Sequence, residues 1–325
     1  MAFADVGKEV LVTADAASPR LEGFNATTFV AEAGIPADPF ATSVTSVAIS
    51  PDRAWLAVSG LNTSGSDAVK VYNTGTWVQV SLTAPQSGAS KVVFSPNGGY
   101  LAAARGGTPA LDVYTAPDFN LVGSVPSFSG SGSSVMFSPD NTLLAVGRTD
   151  SPYLLVLSTA DWTTVFSSTS EIQPAGIAFS PDGGYMAVVH YGTSGLTVYT
   201  TSDWAVVSGT PTFTAGMRAV AFSLDGAKLV VGFTDAPGIQ VYNTADWSLV
   251  TGTPAYAAAY AVAFNSDGSR MAVGIFESPY LKVLNTSDYS AVPGTPNLGG
   301  TCVAVAYGGA YVSSFWENFR RCQEV

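Results

Sequence analysis

Charged residues are scarce in this chain: Asp, Glu, Lys and Arg make up 11% of its 325 residues. Acidic residues outnumber basic ones by 24 to 13, which gives a formal net charge of −11 at pH 7 without a block of like charge. Nucleic-acid binding is disfavoured, because neutralising phosphates requires a basic patch. The polar surface must come mainly from Ser, Thr, Asn and Gly, which suits a neutral surface for adhesion or assembly.

Cysteine and histidine are also nearly missing. The two cysteines are Cys302, which begins an apolar run and is expected to be a small buried residue, and Cys322, which lies near the C-terminus. We expect no disulfide between them. The single histidine, His190, cannot supply a zinc cluster or a Ser-His-Asp arrangement with partners identifiable from spacing. We therefore predict no catalytic residue, no cofactor and no metal site.

Long hydrophobic runs are absent too. The longest notable one covers residues 255–264, which is too short to span a bilayer. The N-terminal residues 1–12 contain Asp5, Lys8 and Glu9 and lack the basic-then-apolar pattern of a cleaved signal peptide. We expect neither membrane insertion nor export by such a signal, and a cytoplasmic location unless the chain belongs to a larger particle.

Repetition is what the chain has in abundance. One stretch, residues 219–254, recurs with substitutions almost from end to end. It contains four short runs of apolar and β-branched residues separated by turn residues, at 219–222, 229–232, 239–242 and 247–250. Such runs predict the strands of an antiparallel meander, with Asp and Gly forming the turns.

The large residue that closes the first run marks the period of the repeat. These residues are Ile49, Phe94, Phe137, Phe179, Phe222, Phe264 and Tyr307. Their separations are 45, 43, 42, 43, 42 and 43 residues, and a period of about 40–45 residues with four strands is a propeller signature. We predict an all-β, seven-bladed β-propeller of four-stranded antiparallel blades. One domain would cover residues 1–316, with a C-terminal tail at 317–325.

The N-terminal copy of the repeat lacks its first run. Its residues 10–13, 21–25 and 28–30 fit the second, third and fourth runs. At the other end of the chain, residues 302–307 fit the first run of a repeat that has no complete blade after it. We predict that both termini build one closing blade, from about 9–31 plus 301–315, because closure removes open sheet edges. Residues 310–315 also resemble a second run, so either they or 10–13 could supply that strand.

Two side-chain types recur at a fixed place in the repeat. The first is an Asp in the turn after the first run, at Asp52, Asp140, Asp182, Asp225 and Asp267. These lie on different blades, too far apart to share one cation, and are predicted to cap turns. The second is an aromatic residue before the fourth run, at Trp77, Phe119, Trp162, Trp204, Trp247 and Tyr289. We expect these rings to cover contacts between blades rather than to bind carbohydrate or peptide.

These turns and aromatic residues resemble the WD-repeat-like superfamily, although the Gly-His and Trp-Asp dipeptides of true WD repeats are absent. The Ser-Pro-Asp-Gly turn at 180–183 is also common in lactonase-like and quinoprotein-like bacterial propellers. The Asn-Thr-Ala-Asp-Trp-Ser sequence at 243–248 is similar to propellers of tailed-bacteriophage virions. The resemblance implies a propeller fold, and the phage likeness implies a virion component of the tail or capsid.

Variable loops on a rigid ring are the usual place for recognition. The loops after the second run carry the candidate interaction residues: Arg105, Arg148, Asp150, His190, Tyr191, Phe233, Asp235, Phe276 and Glu277. Lys91 and Arg218 begin their first runs and could line the mouth of the axial channel, but two isolated cations do not identify an anionic ligand.

The sequence therefore favours a structural or protein-interaction module that is not an enzyme. Its expected partners are other proteins of a virion, and homo-oligomerisation within such an assembly is left open. The alternatives are a lactonase-like or ligand-binding bacterial propeller and a cytosolic WD-repeat-like scaffold. The predicted axial positions are mostly Ser, Ala, Gly, Val and Tyr, which counts against the enzymatic alternative.

Overall fold

The computed structural model describes residues 10–15, 21–36, 39–40, 43–61, 69–83, 88–191, 195–213, 216–307 and 312–313. In these ranges the chain forms β-strands and no helix, so the described part has no helix able to cross a membrane. The expected tail at 317–325 lies outside the described residues. The prediction of an all-β chain is confirmed.

Seven antiparallel sheets form the seven blades of a propeller. The first strand of each blade contacts the first strand of the next, and the series closes on itself as a ring around the axis. These innermost strands are β3 (Ser43–Ile49), β7 (Ala89–Phe94), β10 (Gly132–Phe137), β14 (Pro174–Phe179), β17 (Met217–Phe222), β20 (Ala259–Phe264) and β23 (Cys302–Tyr307). We number the blades 1 to 7 in this order.

Two further strands follow outward in every blade. The second strands are β4 (Trp55–Leu61), β8 (Tyr100–Arg105), β11 (Leu143–Arg148), β15 (Tyr185–His190), β18 (Lys228–Phe233), β21 (Arg270–Ile275) and, in blade 7, β1 (Val10–Asp15). The third strands are β5 (Val69–Asn73), β9 (Leu111–Thr115), β12 (Leu154–Ser158), β16 (Leu196–Thr200), β19 (Ile239–Asn243), β22 (Leu281–Asn285) and, in blade 7, β2 (Leu21–Asn25).

The fourth run is less regular than the repeat predicts. It forms a strand in blade 1, β6 (Gln79–Val80), and in blade 3, β13 (Thr164–Ser168). In each of the other five blades it touches the third strand through one isolated bridge, such as Tyr242↔Leu249. Those five runs are followed within a few residues by a Gly and then a Pro, as at Gly252 and Pro254. This pair ends the strand, because Pro cannot donate to the ladder.

Both termini build blade 7, as predicted. The C-terminal strand β23 pairs with β1, and β1 pairs with β2, so residues 10–13 and not 310–315 supply the second strand. A further short strand, β24 (Val312–Ser313), pairs with β20 of blade 6. The other edge of β20 is taken by β21, and β24 also contacts β14, β17 and β23. The segment therefore lies on the axial side of the ring.

Hydrogen-bonded turns set the ends of the first and second strands. In blade 3 the Ser138 hydroxyl donates to Asp140 Oδ1 at 2.5 Å, and the same oxygen accepts the Thr142 N–H at 3.0 Å. The Leu143 N–H then donates to Ser138 Oγ at 2.9 Å. The repeated Asp is thus used by the turn, and its bonds hold the Asp140 pKa below its ordinary value although burial opposes this.

Aromatic side chains lock neighbouring blades together. The aromatic residue before the fourth run has a left-handed backbone in every blade, with φ between 52° and 61°. This turn aims the ring at the start of the second strand of the preceding blade. Trp162, for example, meets Tyr100 edge-on with ring centroids 5.3 Å apart, and Phe119 meets Trp55 at 5.2 Å. The rings therefore lie at the contacts between blades, as the repeat predicted.

Candidate functional site

A β-bulge interrupts the start of every innermost strand. In each blade one residue has no partner in the register with the second strand. These residues are Thr45, Ser90, Ser133, Ala175, Arg218, Tyr260 and Val303. Bulges re-aim side chains and are frequent beside functional sites. We call this ring of seven positions the axial rim. It lies at the end of the propeller where the second strands finish, because the first two strands are antiparallel.

Arg218 is the charged member of the axial rim. Its guanidinium carbon lies 4.3 Å from the ring centroid of Tyr260 and 5.2 Å from that of Tyr191. Nη2 lies 3.5 Å from the Tyr191 hydroxyl. The side chain is 4% exposed, whereas Tyr191 is 40% exposed. The guanidinium therefore lies beneath the surface between two tyrosine rings, and its N–H donors suit an oxyanion ligand.

Lys91 follows the bulge of β7 and reaches toward the axis. It is 4% exposed, and Nζ donates to the Ala175 carbonyl of β14 at 3.2 Å, two blades away. Burial lowers the pKa of this amine to about 7, because removal of water disfavours the charged form. Near neutral pH, Lys91 can therefore act either as a cation or as a proton acceptor.

The nine candidate loop residues divide into two groups in the structure. Asp150, Tyr191, Asp235, Phe276 and Glu277 are exposed. Arg105, Arg148, His190 and Phe233 are instead buried, at 0–4% exposure. These four occupy the last position of the second strand, which pairs with the innermost strand beneath the loops. They therefore lie beneath the loops rather than on an exposed loop surface, and their role in interaction stays a prediction.

The two buried arginines anchor the loops from below. Arg148 donates from Nη1 to the Pro152 carbonyl at 2.9 Å and from Nη2 to the Ser129 carbonyl. Arg105 donates from Nη1 to the Pro109 carbonyl at 3.1 Å, and its Nε lies 3.2 Å from Asp112 Oδ2. Because these bonds tie loops to the blades beneath them, the arginines stabilise the loops of blades 2 and 3.

A buried polar network surrounds the single histidine. His190 is fully buried, and its Nε2 lies 2.5 Å from Oε2 of Glu171, itself 3% exposed. Glu171 also accepts hydrogen bonds from Thr197 at 3.1 Å and from the Tyr199 hydroxyl. Burial opposes ionisation of Glu171, but the bonds from His190, Tyr199 and Thr197 outweigh it and hold its pKa below the ordinary value. The network joins the connection before blade 4 to that blade.

Sequence reasoning missed Glu171, and its signal was weak. It is a lone carboxylate in the Ser- and Thr-rich connection before the blade that carries the only histidine. No group of three or more His, Cys, Asp or Glu residues able to hold a metal ion occurs in the described part of the chain. The functional groups described at or beside the axial rim are the Lys91 amine, the Arg218 guanidinium and the phenols of Tyr191 and Tyr260.

Comparison with known proteins supports the propeller fold. The family model described as "WD domain, G-beta repeat" matches residues 38–73, which is about one blade. No curated protein is significantly similar to the chain in sequence. Among solved structures, the chain is similar to a candidate 6-phosphogluconolactonase from Bacteroides uniformis ATCC 8492. The identity is 15% and the TM-score 0.69, with 92% of this chain and 99% of the other covered.

A second similar structure is the hydrazine synthase of Kuenenia stuttgartiensis, at 17% identity and a TM-score of 0.67. The match covers 83% of this chain and 90% of the other. At such identities the likeness concerns the fold alone. It supplies no support for the expected relationship to bacteriophage proteins.

The prediction that the chain is not an enzyme is corrected by these findings. It relied on a regular repeat without a recognisable catalytic motif, yet a candidate lactonase has the same architecture over nearly its whole length. A regular propeller array therefore gives no ground for excluding catalysis. The seven antiparallel sheets and the matched repeat together fit a WD-like β-propeller.

Proposed function

We propose that this chain is a lactonase-like propeller that binds an anionic sugar lactone at the axial rim and hydrolyses its ring ester. The observation that carries this proposal is the presence of Arg218, held between two tyrosines, and Lys91, a buried amine, at the same end of the channel. Support for the substrate class comes from the likeness in fold to a candidate 6-phosphogluconolactonase.

Arg218 is the residue that binds the anionic group of the substrate. A guanidinium presents several N–H donors in one plane and binds phosphate or carboxylate oxygens in pairs. Contact with Tyr191 and Tyr260 restrains this side chain before the ligand arrives. Less conformational entropy is then lost on binding. Tyr191, the exposed ring over this guanidinium, moves aside when the ligand reaches Arg218.

Lys91 is the residue that activates water. Because its pKa is about 7, a large share of the molecules hold a neutral amine at neutral pH. The amine takes a proton from water as the water oxygen bonds to the lactone carbonyl carbon. The bond from that carbon to the ring oxygen then breaks, and the ring oxygen takes the proton back from Lys91. The product is the open hydroxy acid, and no oxidant or metal is consumed.

The test is hydrolysis of 6-phosphogluconolactone, measured against spontaneous hydrolysis and against the unphosphorylated lactone. Arg218→Gln should raise KM for the phosphorylated substrate and leave the unphosphorylated one unchanged. Lys91→Met should lower kcat by about 10²-fold or more, the usual effect of losing a general base. Lys282→Met and Arg53→Gln are matched controls, since one lies on an outer strand and the other in a turn at the opposite end.

Two results would refute the proposal. One is a rate equal to the spontaneous rate for both lactones together with no binding of the phosphorylated lactone or its open acid. The other is full activity in a folded Lys91→Met variant. The pH profile adds a further check, because kcat should rise as the pH passes through about 7 and the Lys91 amine loses its proton.

A further inference from the structure

One groove between blades is incompletely filled. In four of the seven grooves the aromatic residue before the fourth run lies against a side chain from the start of the preceding second strand, in the pairs Trp55 with Phe119, Tyr100 with Trp162, Tyr185 with Trp247, and Arg270 with Phe29. In two more grooves the residues at these positions, Val10 with Trp77 and Leu143 with Trp204, pack against the same hydrophobic cluster. The remaining groove, between blades 5 and 6, has Lys228 and Tyr289 at these positions.

Lys228 does not cross that groove. Its Nζ donates to Asn243 Oδ1, the residue paired with Lys228 in the register of its own blade. A cleft of about 180 Å³ remains between the blades. This volume is below the range of about 300–1,000 Å³ that is usual for small-molecule sites, so it suits one side chain rather than a whole metabolite.

The lining of the cleft combines apolar side chains with two carboxylates and the amine of Lys228. Leu224 and Phe264 contribute apolar surface, and Asp225 and Asp267 come from the turns of the two blades. Both carboxylates accept the bonds of their own turn through Oδ1. These turn bonds hold both pKa values below the ordinary range, so both groups are ionised at neutral pH.

The neighbouring groove shows what kind of group fills such a space. Between blades 6 and 7, Arg270 occupies the position that Lys228 has one blade earlier. Its guanidinium carbon lies 5.7 Å from the Phe29 ring centroid, and Nη1 donates to the Ala26 carbonyl at 2.8 Å. An arginine thus crosses the groove and caps the aromatic ring. Tyr289 is the counterpart of Phe29, and Thr286 is the counterpart of Ala26.

We propose that the cleft between blades 5 and 6 binds an arginine side chain of a partner polypeptide. The guanidinium lies over Tyr289 and donates to Asp225 and Asp267, and the methylene chain packs on Leu224 and Phe264. This site is at the turn end of the propeller, opposite the axial rim, and is independent of the proposed lactonase activity. Its loss leaves hydrolysis unchanged, so the two proposals fail separately.

The test is titration of the whole chain with N-acetyl-arginine amide, followed by NMR shifts of residues around the cleft. The N-acetyl amides of lysine and citrulline serve as comparison probes. Free arginine is titrated as well, to distinguish an arginine side chain within a polypeptide from the free amino acid. We expect the arginine amide to bind at least about tenfold more tightly than the neutral citrulline amide, because it makes charge-assisted hydrogen bonds. It should also bind at least as tightly as free arginine.

Two variants sharpen the test. Lys228→Arg should fill the cleft from within, as Arg270 does next door, and abolish probe binding in a folded protein. Asp267→Asn should weaken binding by about tenfold. Asp182→Asn is the matched control, because it changes the same turn position in blade 4, next to a groove filled by Trp247.

The proposal is overturned if the citrulline amide binds as tightly as the arginine amide. It is also overturned if Lys228→Arg binds the probe like the native chain, or if Asp267→Asn and Asp182→Asn behave alike. Tighter binding of free arginine than of the blocked amide would exclude a polypeptide as the source.

Discussion

Removal of the Trp162 side chain should destabilise the protein strongly, because this ring is the buried link between blades 2 and 3. Trp162 is 4% exposed, and its ring packs edge-on against Tyr100 at 85°. Truncating a buried Trp to Ala costs about 3–5 kcal/mol. Trp162→Ala should lower the free energy of unfolding by this amount, measured as a shift of the urea midpoint by far-UV circular dichroism.

The backbone at this position adds a second, independent expectation. Trp162 has φ 61°, a left-handed conformation that costs a residue with a Cβ about 1–2 kcal/mol. Trp162→Gly relieves this cost but gives the unfolded chain more freedom, which costs roughly 0.5–1 kcal/mol. The Gly variant should therefore be as stable as the Ala variant or slightly more so, the reverse of what Gly does inside a strand.

Val165→Ala is the control for the same outer edge of blade 3. Val165 is 46% exposed, so its truncation should change stability by no more than about 0.5 kcal/mol. Equal midpoints for Trp162→Ala and Val165→Ala would refute the assignment of the indole to the contact between blades. A Gly variant clearly less stable than the Ala variant would refute the role of the left-handed turn.

Two predictions concern stability against pH. Burial lowers the pKa of Lys91 to about 7 while the unfolded amine keeps 10.5, so native stability should rise between these values. Lys91→Met should accordingly be more stable than the native chain at pH 6, with a difference that narrows toward pH 10; a constant difference would contradict this. The pKa of Glu171 is held below 4.5, so its bonds stabilise the fold above that pH and are lost as the pH falls through the folded value. Glu171→Gln should therefore flatten the acid side of the stability profile, and an unchanged profile would contradict the network.

Strand positions could be predicted from the sequence because each blade repeats the same local signals. The Ser-x-Asp turn, the β-branched runs and the aromatic residue recur at one phase, and the turn is stabilised by bonds between residues close in sequence. Ser138, Asp140 and Leu143, for example, are joined by hydrogen bonds within one turn. The prediction of a fourth strand in every blade was less accurate, because the length of that strand depends on the Gly and Pro that follow it, as at Gly252 and Pro254.

Contacts between distant segments were harder to predict. Residues 310–315 have the apolar pattern of a strand, but that pattern does not reveal which edge accepts it. The pairing of Val312 with Ala263 depends on the free axial edge of β20. The burial of Arg148 and His190 was missed for a similar reason. In the sequence, each of these residues is the last of a strand and is followed by a loop. In the structure, the connection from the preceding blade covers each of them.

Departures from the repeat are more informative about function than the repeat itself. Six residues at the position of Lys91 in the other blades are small, namely Ser46, Ser134, Gly176, Ala219, Ala261 and Ala304. A small residue there would cost nothing to bury, whereas Lys91 loses the hydration of its charge. Lys228 likewise stands where the other blades have an aromatic, aliphatic or arginine side chain. At both positions a lysine stabilises its blade less than the residues found there in the other blades. The binding function proposed for each position explains why a lysine is present.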